Sequence, residues 1–154
     1  MDFESVNVGD ALPPLSKGPL TSAHLMRWSA AMENWHKIHY DKTFAVEHDK
    51  LPGILVNGTL KQQFIMQFLR GWAGDGGWVW KVSFQFRAMN LEGETLRMWA
   101  KVKEKRETPA YGLVELELGV VNGGEDKEST PGTAVVALPY RNGKPVPYPF
   151  APPA

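Results

Sequence analysis

Thr59-Leu60-Lys61-Gln62-Gln63-Phe64-Ile65-Met66-Gln67-Phe68-Leu69-Arg70-Gly71-Trp72 is the stretch whose reading settles the fold class. Leu60, Phe64, Ile65, Phe68, Leu69 and Trp72 recur at steps of three and four, which predicts a helix over about residues 59–72. They leave little of its circumference polar, and a helix apolar over so much of its girth is buried on several sides. Gly71, Gly74, Gly76 and Gly77 end it. From there the period changes to two. Trp78, Trp80, Val82, Phe84, Phe86 and Ala88 alternate with Lys81, Ser83, Gln85 and Arg87, a long half-buried strand. Leu96, Met98, Ala100 and Val102 repeat the pattern. So do Val114, Leu116, Leu118 and Val120, with Glu115 and Glu117 outward. Gly123-Gly124 and a charged turn precede a last strand over 133–138.

Upstream, Gly9, Pro13, Pro14, Gly18 and Pro19 mark an extended lead-in with turns. Thr21 and Ser22 offer N-cap hydroxyls to a first helix of about three turns, with Leu25, Trp28, Met32 and Trp35 on its apolar face. Leu51-Pro52-Gly53 is a turn signal, followed by the short apolar run Ile54-Leu55-Val56. Helices first and a run of antiparallel strands afterwards is an α+β domain. Its helix 59–72 is too apolar for a surface, so the sheet is expected to curl around it. The domain is expected over residues 1–140. Residues 141–154 form a Pro-rich tail that is neither helix nor central strand.

The chain has 154 residues, enough for one domain with a core of its own. It has no cysteine, which excludes disulfide scaffolds, thiolate metal sites and cysteine nucleophiles. Formal net charge is zero, so no basic field points to nucleic acid. The acidic, polar start Met1-Asp2-Phe3-Glu4 does not read as a signal peptide, and no run reaches the roughly 18 apolar residues of a membrane span. A cytoplasmic protein without membrane association is expected.

The chemistry-bearing groups concentrate in Asn34-Trp35-His36-Lys37-Ile38-His39-Tyr40-Asp41. Two imidazoles beside a carboxylate suit general acid–base work near neutral pH. His36 and His39 equally suit surface positions, or a metal site with scattered Asp, Glu and His48. The residue types alone leave these open. The six tryptophans read as core and pocket wall. Lys81 and Arg87 are either solvated strand-face charges or contacts for anionic phosphates.

The segment 34–41, with Ala45 four residues on, resembles the hydratase motif of MaoC-like proteins, which usually reads Asp-x-Asn-Pro-x-His-x-Asp and then alanine. Leu51-Pro52-Gly53-Ile54-Leu55-Val56-Asn57-Gly58 resembles that family's second block, which opens its central helix. Gly93-Glu94-Thr95-Leu96 matches a turn that starts one of its later strands. The likeness runs over residues 5 to 140 and implies the hot-dog fold, a central helix wrapped by a curled antiparallel sheet. It also implies a lyase that reversibly hydrates an enoyl-thioester to a 3-hydroxyacyl-thioester, with no metal or other cofactor beyond the CoA or acyl carrier protein that bears the acyl group.

On that resemblance His39 is the general base toward water, and the Gly58 N–H holds the thioester oxygen where enolate charge develops. Asn34 stands where an aspartate is usual and would orient the water. Asp41 would orient His39 or cap the segment. His36 would meet a substrate carboxylate or the water network, or simply pack. Asn57, in place of the usual histidine, and Tyr40 complete the expected substrate-binding set. Asn34, His36, Ile38, His39, Tyr40 and Asp41 match a variant resembling mesaconyl-C4-CoA hydratases and mitochondrial 3-hydroxyacyl-thioester dehydratases. The competing implication is a non-catalytic acyl-thioester-binding subunit of a heteromeric hydratase. A hot-dog thioesterase ranks below both, because it usually needs a carboxylate on the central helix and 59–72 contains none. A dimer, of like or unlike hot-dog chains, is expected because a single curled sheet leaves an edge exposed.

Overall fold

A computed structural model describes residues 1–124 and 127–153. Glu125 and Asp126, part of the expected charged turn, lie outside them. Two helices, α1 (Ser22–Ala31) and α2 (Gly58–Ala73), precede or interleave with five strands. These are β1 (Leu15–Lys17), β2 (Trp78–Phe84), β3 (Leu96–Glu107), β4 (Gly112–Asn122) and β5 (Lys127–Leu138). The strands form one antiparallel sheet in the order β1-β3-β4-β5-β2. The concave face presents Met98 and Val102 of β3, Leu116 and Leu118 of β4 and Val136 of β5 to Ile65, Phe68 and Leu69 of α2. Each such side chain, taken fully out of water, contributes roughly 1.5–3 kcal/mol. The central helix is therefore held by burial on several sides, as its composition requires.

The first helix is shorter than its apolar spacing suggests. Glu33 adopts a left-handed conformation (φ 50°), its N–H donates to Ala30 O (3.2 Å), and the Asn34 N–H donates to Ser29 O (2.9 Å). This is a Schellman closure made without glycine. It turns the chain after Ala31, so Met32 and Trp35 do not continue the buried face. They are 50% and 61% exposed.

The alternation in β2 is likewise interrupted. Pairing with β5 runs Val79↔Val136 and then Lys81↔Val135, so Trp80 is the extra residue of a bulge. Beyond the bulge Val82 and Phe84 face the core, and before it Val79 does. Trp78 and Trp80 are thereby turned to the convex face, where Phe150 of the tail meets both rings, at 6.0 and 5.7 Å between centroids. Val146 and Phe150 pack there with Tyr111, Leu113 and Ala137, and the Tyr111 hydroxyl donates to Ala151 O (2.6 Å). With Trp35 exposed and two indoles on the convex face, the tryptophans are not uniformly core and pocket wall. The tail is an ordered strap on the sheet.

The last strand begins earlier than expected, at Lys127, and runs through Pro131. Pro131 O accepts from the Gln85 N–H (3.0 Å), so its backbone polar groups face the β2 side, just past the end of β2. Its missing N–H therefore costs no bond to β4.

Candidate active site

The Schellman closure of α1 delivers Asn34 to an irregular segment whose side chains bond its own backbone. Asn34 Oδ1 accepts from the His36 N–H (3.3 Å), and His36 Nδ1 accepts from the Ile38 N–H (3.4 Å). A single tight turn, Lys37–His39, follows. The Tyr40 hydroxyl donates to Trp35 O (2.7 Å), closing the loop on itself. Asp41 Oδ1 accepts from the Phe44 N–H (2.9 Å), capping the wide turn Phe44–His48. Asp41 thus has a capping contact, and Tyr40 a loop-closing one.

His39 is tied across the fold. Leu55 N–H donates to Ile38 O (2.9 Å), and His39 Nδ1 lies 2.9 Å from Leu55 O. A carbonyl oxygen only accepts, so Nδ1 must carry the hydrogen. In the neutral ring the lone pair is then on Nε2. The segment 34–41 is in this way fastened to the run that leads, three residues later, into α2.

Gly58 is the first residue of α2, and its N–H has no acceptor within the helix. A Cβ built on Gly58 would lie 2.8 Å from Phe86 Cε2, so the Phe86 ring rests directly on this glycine. Asn57 before it is fully buried. Its Nδ2 donates to Ser29 Oγ of α1 (3.2 Å), while Oδ1 has no partner among the described residues. Trp28 of α1 donates to Thr59 Oγ1 (2.9 Å). The entrance of α2 is thus anchored to α1 by two side-chain bonds, and the same Ser29 also receives the Asn34 N–H. His39, Asn34, Asn57 and Gly58 belong to one connected cluster. His36 is exposed at its rim, its ring centroid 6.3 Å from that of His39.

A model of the family described as hydroxyacyl-thioester dehydratase type 2 matches residues 14–94, which contain every one of these groups. The chain belongs to that family. The chain has the hot-dog fold of MaoC-like proteins, and solved structures agree. The (R)-hydratase of A. caviae involved in PHA biosynthesis is similar at 24% identity over 88% of this chain and 99% of that one, with a TM-score of 0.77. The R-hydratase PhaJ1 of Pseudomonas aeruginosa is 19% identical over 99% and 94%, with a TM-score of 0.78. The ChsH1-ChsH2 complex of Mycobacterium tuberculosis contributes a chain 17% identical over 86% and 98%, with a TM-score of 0.74. No curated protein matches significantly in sequence.

One residue of this hot-dog domain escaped the sequence reading. Lys61, one turn into α2, is 3% exposed. Its Nζ donates to Asn90 Oδ1 (3.1 Å) and Ala88 O (3.3 Å) and lies 4.9 Å from the centre of the Phe86 ring. Burial pulls its pKa down from 10.5 to about 8, against the opposing pull of Glu94. The signal was present in the spacing: positions 61, 65, 68 and 69 lie on one helical face, so a lysine stood on the buried stripe. Arg87 is exposed and lines a cleft of about 460 Å³ with Asn90, Glu94 and Lys127, whereas Lys81 lies over the Trp80 ring (4.0 Å). Among the described residues no group of three or more His, Asp or Glu side chains is placed to hold a metal ion. No helix among them is long and apolar enough to cross a membrane.

Proposed function

We propose that the chain catalyses the reversible addition of water across the C2–C3 double bond of an enoyl-thioester, giving the 3-hydroxyacyl-thioester. The observation that carries this reading is the His39 Nδ1–H bond to Leu55 O. A fixed tautomer presents the Nε2 lone pair of the neutral ring as a base. His39 Nε2 takes a proton from water as the oxygen attacks C3. Charge moves to the thioester oxygen, which the Gly58 N–H at the positive end of α2 stabilises. The imidazolium then returns a proton to C2, so the hydroxyl and one hydrogen of water are both accounted for. Among the described residues the turn takes only the Oδ1 of Asn34, which leaves its amide N–H to donate to that water. An amide orients water and leaves the proton transfer to His39.

The acyl group is carried on CoA or an acyl carrier protein, and the domain works as a dimer of hot-dog chains. The edge strand β2, unpaired on its far side among the described residues, supports that assembly. The test is loss of the conjugated-thioester absorbance with the purified protein alone, using crotonyl-, mesaconyl- and longer enoyl-CoA. Hydration of one of these is expected. Hydration that appears only on adding a second hot-dog chain would overturn the catalytic reading in favour of the non-catalytic subunit.

A further inference from the structure

The ammonium of Lys61 is the joint at which three contacts around Gly58 meet. It faces the Phe86 ring that lies against Gly58 Cα. It donates to Asn90, whose backbone oxygen in turn accepts from the Val56 N–H (2.9 Å), two residues before Gly58. It also donates to Ala88 O, between those two. The 86–90 segment therefore meets the 56–58 backbone at two points, Phe86 on Gly58 and Asn90 O on the Val56 N–H, and Lys61 contacts that segment at Phe86, Ala88 and Asn90.

Packing alone does not account for a lysine there. A cation in the first turn of a helix opposes the macrodipole, and a buried charge without a directly bonded carboxylate costs stability. Methionine has nearly the same shape and neither penalty. We infer that Lys61 is a positioning residue of the reaction, its ammonium holding Phe86 and the 87–90 segment against Gly58 and so fixing the space around the N–H that receives the thioester oxygen. This rests on the hydration reading above. The charges facing the ammonium are few. The first turns of α2 contribute none, the continuation of β2 contributes the exposed Arg87, and the turn before β3 contributes Glu94, which reaches it through Asn90. Loss of the proton near pH 8 turns a donor to two acceptors into a weaker one and removes the attraction to the Phe86 ring.

Two variants of the full chain and one measurement on the unmodified protein test it. Lys61→Met is expected to fold with unchanged or raised melting temperature, and to lose roughly tenfold in kcat with little change in KM, because a misaligned oxyanion donor acts mainly in the transition state. Lys61→Arg, which keeps its proton, is expected to recover most of that loss and to move the alkaline fall in kcat from about pH 8 upward. Independently of turnover, the Gly58 amide and Phe86 ring resonances are expected to titrate with the Lys61 ε-carbon at one shared midpoint. A wild-type kcat in Lys61→Met, or Gly58 and Phe86 resonances that ignore the Lys61 titration, overturns the assignment. If neither variant folds, the resonances decide. Shared titration in a protein that hydrates no thioester would sink the proposed reaction and leave the coupling standing.

Discussion

The two halves of the site are built on opposite principles. The segment Asn34 to Asp41 is irregular, partly exposed and held largely by bonds between near neighbours, with Ile38 and His39 to Leu55 and Asn34 to Ser29 among its ties to the rest. The entrance of α2 is regular and largely buried, with Thr59 exposed, and is held by partners far away in sequence: Ser29, Trp28, Phe86 and Asn90. On the proposed reaction the first half would supply the groups that exchange protons or handle water, and the second a fixed dipole whose worth depends on not moving. A base can tolerate a flexible support if its tautomer is set, while an oxyanion donor needs a rigid one.

Removing the base is expected to produce the largest effect. His39→Ala should lower kcat/KM by about a hundredfold or more, on the scale of general acid–base catalysis, and lower stability by only about 1 kcal/mol through the lost bond to Leu55 O. Unaltered hydration would move the chemistry out of the irregular half. Next comes the pH dependence of stability that the rigid half contains. Below about pH 8 Lys61 is charged in both states and the cost of burying it is borne in full. Between about 8 and 10.5 the folded chain has released the proton while the unfolded chain keeps it, so stability climbs by about 2 kcal/mol once solvent screening is allowed for. Denaturant titrations across that window should show the rise in the wild type and its absence in Lys61→Met. Catalysis and stability would then move in opposite directions with rising pH.

Smaller effects sharpen the contrast within the irregular half. Asn34→Ala should cost roughly tenfold in kcat, less than His39→Ala, because an orienting amide leaves the base in place. A loss equal to that of His39→Ala would make the amide a full partner in proton transfer. Asp41→Ala should lower stability by about 1 kcal/mol through the lost cap on Phe44, with kcat close to wild type. A fall in kcat without a fall in stability would show instead that the carboxylate acts through His39.

What could be read from the chain follows the same division. Helix α2 and the alternation of β3 and β4 were legible because burial imposes a period on the residues, and the period holds from Leu60 to Ala73, from Leu96 to Val102 and from Val114 to Leu118. The hydratase-like segment was legible as a motif, but not its internal bonds, which depend on backbone turns that no spacing encodes. The end of α1 was hidden because a glutamate, rather than glycine, takes the left-handed position. The faces of Trp78 and Trp80 were hidden because a bulge changes parity without changing residue type. Lys61 was hidden by assumption: lysine is ordinarily counted as surface, even where its spacing places it inside.

That bulge has a consequence for how the chain can change over generations. Straightening β2 while keeping residues 141–153 would turn the Trp80 indole toward the core and take from Phe150 one of the rings it packs against. Shedding those residues while keeping the bulge would leave two indoles bare on the convex face. A change in either of these features, about seventy positions apart, therefore alters the setting in which the other is tolerated.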